Sequence, residues 1–326
     1  MSIKEYPVVT CAVLSYFSDP YVIETLESIY ELDYPELDLL ISDDCSADNT
    51  IPLCDDWVNQ SRVKKRFRNI NILTIDKNGG VSANMNRAIK AAKTDWIKII
   101  SADDILLPNC LKDNLNFVAS NPKAKAIFSQ VKMYQDVFEE RNFSTLMPDV
   151  FPDNIMKPEF TAEDQWKILL ESDRINNTPS FFFHKSVIEK VGYYDETNRL
   201  VEDSPMWLKL TKAGVLLHYF HKPTVGYRIH SKALNNVGDK KFIQPSFIRS
   251  YEIRKSIAHP FLPTTMVWKE RYVVVISKIF VRIKMDVNNT FNTSLYRLLT
   301  VYLNPFHYIE SIGRKVFNYK TKIKKN

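Results

Sequence analysis

Pairs of acidic residues stand directly after two apolar runs of the chain, where each run would end as a strand. Asp43 and Asp44 follow one run, and Asp103 and Asp104 follow another. Adjacent carboxylates repel each other, and a nearby cation relieves this repulsion. Mg²⁺ and Mn²⁺ prefer oxygen ligands, and Mg²⁺ is commonly shared with substrate phosphates. The second pair therefore predicts a Mg²⁺ or Mn²⁺ site, with capping of a following helix by Asp104 as the alternative.

The loop after the first acidic pair has residues that could hold a nucleotide base. A carboxylate such as that of Asp44 can accept the N–H of a pyrimidine, and Tyr16, at the tip of the first predicted strand, offers a ring for stacking. The alternative is that Asp48 or Asn49 caps the next helix and that Tyr16 is a rim aromatic. Capping does not account for two further acids at the strand tip.

A glycine-bearing turn opens a later helix. Asn78, Gly79 and Gly80 precede a helical pattern that contains Asn84. Glycine lets the backbone approach a ligand closely, and the start of a helix favours anionic groups. The turn lacks the Gly-Lys-Ser/Thr of a phosphate-binding loop and the spaced glycines of a dinucleotide site. It therefore adds only weak support for a ligand at this position.

Two later segments supply a candidate base and a candidate metal ligand. Asp203 precedes an amphipathic helix, where it could act as a general base facing the metal site, and Trp207 could present a flat face to a sugar ring. Ordinary capping by Asp203, with Pro205 in the first turn, is the alternative. His230 ends an apolar strand, and a neutral imidazole there could bind a metal, although a lone histidine is usually structural.

Alternating strand and helix patterns place these residues at one edge of a sheet. The alternation predicts an α/β fold with a doubly wound, mostly parallel sheet, in which ligands bind beyond the carboxyl ends of the strands. The stretch 134–158 is irregular, and the pattern is helical beyond about residue 240. The predicted strands are 8–14, 37–42, 70–75, 96–100, 126–131, 181–183, 215–219 and 225–229.

Composition and length bound the class of protein. The chain has 326 residues, 45% hydrophobic and 25% charged, so it can bury a core and is not a disordered chain. We expect a domain at 1–235 and a helical, basic extension at 236–326. No apolar stretch approaches the ~20 residues of a membrane-spanning helix, and the start does not resemble a secretory signal. The four cysteines lack metal-ligand spacing, which favours reduced thiols in a cytoplasmic protein.

The basic excess is concentrated at the end of the chain. The net charge is +6, and residues 310–326 hold six basic residues against one acid. We therefore expect a nearly neutral body, which argues against a nucleic-acid surface. The tail could contact anionic lipid at the cytoplasmic face of the inner membrane, or could be a solvated terminus. The helices beyond residue 240 could likewise lie along a membrane, pack as a subdomain or form a homodimer.

Together these segments resemble the GT-A-fold glycosyltransferases of family 2, a large inverting family that builds bacterial surface polysaccharides. The resemblance covers roughly residues 6–232, with the motifs in the family's order. Two positions depart from it, Ser101 where many members have an acid and Met85 where many have Arg. The matching residues are Leu14 to Phe17 (loosely), Asp43, Asp44 and Ser46, Asn78, Gly80, Asn84 and Asn86, Ser101 to Asp104, Thr178 to Ser180, Gly192 to Glu196, and Glu202, Asp203 and Trp207.

The resemblance implies a role for each matching residue. Tyr16 and Asp44 would hold the base, and Asp103 the ribose or the metal. Asp104 would be the principal metal ligand, and Asp203 would deprotonate the acceptor. Further contacts would come from His230 to the metal, from Glu202 and Trp207 to the acceptor, and from Ser15, Gly80, Asn84 and Ser101 to the donor.

The implied activity is the transfer of a sugar from a nucleotide sugar, with UDP as the expected nucleotide. The acceptor would be a hydroxyl of a glycan, commonly one anchored on a polyprenyl diphosphate, and Mn²⁺ or Mg²⁺ would be the cofactor. A nucleotidyltransferase is one rival, but the segment Ser15 to Ser18 is not the basic, Gly-rich loop that such enzymes carry. A non-catalytic nucleotide-sugar-binding module is the other, and the pair Asp203 and Trp207 argues against it.

Overall fold

The chain folds into two units, Met1–His230 and Ser231–Asn326. The computed structural model describes residues 6–199, 201–230, 241–306 and 308–309. The first unit is built around a sheet, and the second consists mainly of helices. The predicted boundary after residue 235 lies among residues that the structure does not describe.

Four parallel strands and the intervening helices form the first half of the first unit. Strands β1, β2 and β4 are largely buried runs of apolar residues, as expected where helices cover both faces of a sheet. The strands lie side by side in the order β3-β2-β1-β4, which confirms the predicted parallel sheet. The elements are β1 (Val9–Ser15), α1 (Val22–Tyr30), β2 (Leu37–Asp43), α2 (Thr50–Val58), α3 (Ser61–Arg66), β3 (Asn69–Leu73), α4 (Val81–Ala91) and β4 (Trp96–Ser101).

The second half of the unit extends this sheet with strands of mixed direction. The order continues from β4 as β8-β6-β9-β5, and β7 pairs with β6. Strand β8 is antiparallel to both neighbours, whereas β6 and β9 are parallel. The elements are β5 (Ile105–Leu106), α5 (Cys110–Ser120), β6 (Ala126–Gln135), β7 (Phe143–Met147), α6 (Ala162–Glu171), β8 (Phe182–His184), α7 (Lys185–Lys190), α8 (Asp203–Lys212) and β9 (His218–Ile229).

Two predictions about strands were wrong. The stretch predicted to be irregular contains β7, whose first three residues are exposed, so the strand lacks a buried apolar pattern. The two strands predicted at 215–219 and 225–229 are one strand, β9. Pro223 interrupts its pattern, but the pairing with β6 shifts register beside Gln130, which accommodates a residue without an N–H group.

The core of the first unit lies between the sheet and its helices. Trp57, Phe182 and the other large apolar residues there are almost fully buried. All four cysteines are free thiols, as expected, and all except Cys45 are buried. Burial raises the pKa of Cys54 to about 12, so this thiol stays protonated and acts as a small apolar group.

The second unit is helical over the residues that the structure describes. The helical pattern predicted beyond about residue 240 is confirmed in the described residues, and residues 310–326 lie outside them. No helix in the described part of the chain is long and apolar enough to span a bilayer. The elements are α9 (Pro245–Ile257), α10 (Thr264–Arg282), α11 (Thr290–Arg297) and a π-helical turn (Leu298–Tyr302).

Candidate active site

The carboxyl ends of β1, β2 and β4 meet at one edge of the sheet. Ser15 at the end of β1 pairs with Asp43 at the end of β2, and Leu14 pairs with Ser101 at the end of β4. The Asp44 N–H donates to the Ser15 carbonyl at 3.0 Å, which joins the first two loops. The three polar loops predicted to form the site are therefore neighbours.

The Asp44 carboxylate is bound by the glycine turn. Its Oδ1 accepts from the Gly79 N–H at 3.1 Å and its Oδ2 from the Gly80 N–H at 2.7 Å. Arg87 Nη2 lies 3.6 Å from Asp44 Oδ1. Asp44 is 3% exposed. Gly80 has φ of +87°, a conformation that favours glycine. Asp44 thus holds the turn in place, and a contact from its carboxylate to a base would have to share these hydrogen bonds.

Ser15, Asp43 and Asn84, on the donor side, also form hydrogen bonds within the protein. The Ser15 hydroxyl donates to Asp43 Oδ1 at 2.9 Å, and the Ser46 N–H donates to Asp43 Oδ2 at 2.7 Å. Asn84 accepts from Arg87 at 2.8 Å through its side-chain oxygen. Ser15 and Asn84 are buried, so they support the loops instead of offering free polar atoms to a donor as expected.

Tyr16 is the aromatic residue that stays open at this edge. Its side chain is 48% exposed, and its ring meets that of Phe17 edge-on, with the centroids 4.6 Å apart. Phe17 has a positive φ of 51°, and its N–H donates to Ser46 Oγ at 2.8 Å, which fixes the loop. The structure therefore leaves a ring of Tyr16 accessible for stacking.

Asp103 and His230 form the pair best suited to hold a divalent cation. Asp103 Oδ2 lies 3.1 Å from His230 Nε2, while the Asp103 side chain is 32% exposed. Neighbouring ligands of an octahedral ion with bonds of about 2.1 Å are about 3 Å apart, so the pair fits two adjacent positions. The described residues contain no cluster of three such ligands, and substrate oxygens and water would complete the shell.

Asp104, predicted to be the principal metal ligand, is the more enclosed of the two acids. It is 2% exposed, and its Oδ1 accepts from the Arg228 N–H at 2.9 Å. Burial, followed by repulsion from Asp103, raises the pKa of Asp104 well above its usual range. It does not cap a helix, because β5 follows it. Ser101 is exposed at the end of β4, and its carbonyl accepts from the Asp104 N–H at 3.1 Å.

Arg228 is a site residue that the sequence reasoning missed. Its guanidinium is 2% exposed, donates to the Asp103 carbonyl at 2.9 Å and pairs with Glu24. It lies between two aromatic rings, 4.6 Å from that of Tyr21 and 4.2 Å from that of Phe138. Arg228 therefore fixes the acidic loop. Its charge in an apolar strand, two residues before His230, could have indicated this role from the sequence.

Asp203 is the carboxylate whose hydrogen bonding is incomplete. It is the first residue of α8, and its Oδ1 is buried with no hydrogen-bond partner in the described part of the chain. Burial, then the charge of Glu202, raises the pKa of Asp203 well above its usual range, and a hydrogen bond from Thr178 opposes this rise. The structure shows no side-chain cap at this helix start, so capping does not explain Asp203.

Thr178 ties Asp203 to the same edge of the sheet. Strand β8 runs antiparallel to β4, with Phe182 opposite Lys98, so the turn before β8 lies beside the carboxyl end of β4. Lys98 is fully buried inside the unit, and its Nζ donates to the Pro179 carbonyl in this turn. The turn that contains Thr178 is thus anchored to β4, the strand that precedes Asp103 and Asp104.

The segment before α8 packs against the donor side. Asn86 in α4 donates to the Tyr194 carbonyl at 2.9 Å, and the Tyr194 N–H donates back to Asn86 Oδ1 at 2.9 Å. Arg199 donates to the Asn78 carbonyl at 3.0 Å, beside the glycine turn. Asp203 follows this segment directly. The segment that leads to Asp203 therefore contacts α4 through Tyr194 and the glycine turn through Arg199.

The two residues predicted to contact the acceptor differ in their surroundings. Trp207 is fully buried, with ring centroids 5.0 Å from Phe128 and 4.8 Å from Phe181. Its indole belongs to the core and exposes no face to a sugar, so this prediction was wrong. Glu202 is half-buried beside a small cavity lined by Lys209 and others, and burial raises its pKa.

The parallel half-sheet, its acidic loops and the mixed second half have the architecture of the GT-A fold. Residues 1–349 of TarS from Staphylococcus aureus, solved with UDP-GlcNAc, superpose with a TM-score of 0.57 at 18% identity. The match covers 84% of this chain and 73% of that one, and at this identity it establishes the fold alone.

The sequence also places the chain in a family. The model of glycosyl transferase family 2 matches residues 10–192, more than half of the chain, so the protein belongs to this family. A glycosyltransferase of Haemophilus influenzae is 21% identical over 231 residues, covering 71% of this chain and 68% of the relative. TuaG of Bacillus subtilis, named as a teichuronic acid biosynthesis glycosyltransferase, is 22% identical over 232 residues, covering 71% and 82%.

Proposed function

We propose that this protein is an inverting glycosyltransferase that moves a sugar from a UDP-sugar to a hydroxyl of a glycan or lipid-linked acceptor in surface-polysaccharide synthesis. The observation that carries this proposal is the buried, unpartnered Oδ1 of Asp203 at the edge where the donor-side loops meet. A carboxylate with a raised pKa and one oxygen left without a hydrogen-bond partner is a suitable general base.

Asp203 would accept the proton of the acceptor hydroxyl as that oxygen attacks the anomeric carbon of the donor. The bond from this carbon to the diphosphate oxygen breaks as the new bond forms, so a single displacement inverts the anomeric configuration. The raised pKa of Asp203 makes its carboxylate a stronger base than an ordinary aspartate, which favours proton transfer. Thr178 donates a hydrogen bond that orients the carboxylate.

The donor would lie across the loops after β1, β2 and β4. Tyr16 offers an exposed ring to the base, and Asp44 keeps the glycine turn in the shape that lets a ligand approach the start of α4. Asp103 and His230 would hold Mg²⁺ or Mn²⁺, which when bound supplies positive charge beside the diphosphate. The UDP-GlcNAc found with TarS supports UDP as the nucleotide.

The acceptor class has a less direct basis. Relatives are named for teichuronic acid and succinoglycan biosynthesis, and TarS for the transfer of N-acetylglucosamine to poly(ribitol phosphate). All of these names refer to bacterial extracellular polymers. An acceptor anchored on a polyprenyl diphosphate fits the resemblance. Membership of the family also argues against the rival activity, that of a nucleotidyltransferase.

A donor screen followed by one substitution tests this function. Thermal unfolding is measured with a panel of nucleotide sugars, with and without Mn²⁺, and the stabilising donor is then used for turnover. Asp203→Asn should lower turnover by about 10²–10⁴-fold, with donor affinity by calorimetry unchanged. The control Asp153→Asn removes an exposed carboxylate elsewhere and should leave both quantities unchanged.

Three results would contradict the proposal. Equal loss of donor binding and turnover in Asp203→Asn would assign Asp203 a structural role. A donor that binds but is never hydrolysed or transferred would indicate a non-catalytic binding module. Full turnover in Asp203→Asn would place the base elsewhere.

A further inference from the structure

The two units of the chain carry opposite charge. Residues 1–230 contain 26 Lys and Arg against 33 Asp and Glu, and residues 231–326 contain 18 against 5. The formal charges are therefore −7 and +13. The nearly neutral charge expected before residue 310 conceals this division, because residues 1–230 contribute −7 and residues 231–309 contribute +8. The second unit as a whole, and not only the last residues, favours an anionic partner.

Helix α10 presents a stripe of alternating basic and apolar side chains. At 100° per residue most of its exposed positions fall within an arc of about 100°, and exposed Val281 lies about 60° beyond this arc. Phe280, Val274 and Ser277 are buried on the opposite side. The exposed stripe consists of Trp268, Arg271, Val275, Lys278, Ile279 and Arg282.

The apolar members of the stripe are large and open to solvent. Trp268, Val275 and Ile279 are each between 44% and 47% exposed. Other apolar residues of this unit are more exposed still, with Phe291 at 70% and Leu303 at 55%. Single exposed apolar residues are ordinary on a protein surface, but a continuous row alternating with cations marks an interaction site.

We infer that the exposed stripe of α10 docks the protein on an anionic lipid bilayer, lying in the plane of the headgroups. Arg271 and Arg282 would meet lipid phosphates while Val275 and Ile279 enter the boundary of the acyl chains. Helix α10 contains five charged residues, and no described helix can span a bilayer. Contact with the membrane would therefore be at its surface.

Charge selects this occupant over two others. A second copy packed symmetrically on the stripe would place Arg271 and Arg282 against the same cations, and like charges repel; Lys278 is already paired with Glu252 at 3.0 Å. A nucleic acid would satisfy the cations but would leave Val275 and Ile279 facing phosphates. An anionic bilayer satisfies both kinds of residue. This inference is independent of the chemistry proposed for the first unit.

Vesicle sedimentation with the full chain tests the inference. The wild-type protein should bind vesicles of phosphatidylcholine mixed with phosphatidylglycerol, bind phosphatidylcholine alone weakly, and dissociate as salt is raised. A cation near an anionic surface changes partitioning about fivefold, so Arg271→Gln with Arg282→Gln should weaken binding about 25-fold. Val275→Ser with Ile279→Ser should weaken it by about tenfold.

Matched controls separate docking from misfolding and from the proposed transferase. Lys64→Gln with Lys65→Gln removes two exposed cations from α3 in the first unit and should leave vesicle binding unchanged. Circular dichroism checks that each variant is folded. The thermal shift caused by the donor should stay at the wild-type value in all variants, so loss of docking and loss of the transferase are distinguishable.

Several outcomes would overturn the inference. These are equal binding to both kinds of vesicle, stripe variants that bind as the wild type does, and a stripe that mediates dimer formation in sedimentation velocity without vesicle binding. Loss of DNA binding in the stripe variants, with no vesicle binding by the wild type, would assign the surface to nucleic acid.

Discussion

Buried carboxylates on the two sides of the candidate site are held in opposite ways. Asp43 and Asp44, on the donor side, accept hydrogen bonds from backbone N–H groups and hydroxyls, and Arg87 lies beside Asp44. Asp203, on the base side, has a buried oxygen with no partner in the described residues. The first arrangement stabilises loops, whereas the second is unfavourable for the fold and agrees with the general-base role proposed for Asp203.

The largest effect on stability is expected from Asp44→Ala. The change leaves the N–H groups of Gly79 and Gly80 without their acceptor and removes the anionic neighbour of Arg87. Equilibrium denaturation should show a loss of about 3 kcal/mol in the free energy of unfolding. The control Asp56→Ala, at an exposed position on α2, should change it by less than about 0.5 kcal/mol. If Asp44→Ala and Asp56→Ala changed the free energy of unfolding equally, the hydrogen bonds of Asp44 would not be stabilising the loops.

Asp203→Asn should have the opposite effect on stability. Replacing a carboxylate that has one buried oxygen without a partner by a neutral amide should raise the free energy of unfolding at neutral pH by about 1 kcal/mol, while turnover is lost. A variant that is both inactive and clearly less stable would show that Asp203 supports the fold as Asp44 does.

The same substitution should change how stability depends on pH. Because the pKa of Asp203 is raised in the folded state, the unfolded chain loses this proton first as pH rises above about 4. The folded state then binds more protons, and its stability falls until the raised pKa is passed. Asp203→Asn should remove this fall. Denaturation of both proteins at a series of pH values, with Asp153→Asn as control, measures the difference.

The last prediction concerns the glycine turn and depends on a difference of about 1 kcal/mol between two variants. At Gly80 an added Cβ would meet the Arg199 side chain at 3.1 Å, whereas at Gly214 nothing lies within 4 Å; both have positive φ. Gly214→Ala should therefore lose about 1 kcal/mol through backbone strain alone, and Gly80→Ala about 1 kcal/mol more. Denaturation and donor affinity of the two variants test this. Equal losses in the free energy of unfolding would show that the Arg199 side chain moves away from the added Cβ without cost.

The sequence predicted the parallel half of the fold well and the antiparallel half less well. Strands β1, β2 and β4 are buried on both faces, so their residues form continuous apolar runs that are easily recognised. Strand β7 is largely exposed and carries no such run. The continuity of β9 across Pro223 depends on a shift in its partner strand, which the local pattern does not encode.

The site was predictable where side-chain type determines the chemistry and less so where packing does. The meeting of the acidic loops at one edge of the sheet was predictable from residue types and order, and the roles proposed for Asp203 and His230 have the same basis. Trp207 was misassigned because α8 is buried on most of its surface, so its pattern does not reveal which side chains face a substrate. Arg228 was missed because its role depends on contacts with loops distant in the chain.

The position of β9 has a consequence for the limits of the catalytic region. The family match ends at residue 192, yet Asp203, Arg228 and His230 all follow it. Strand β9 lies between β6 and β5, so a protein shortened to the matched region would lack an interior strand and expose an unpaired edge of β6. Residues 193–230 supply both side chains of the candidate site and an interior strand. Sequence changes there would therefore alter reactivity and solubility together.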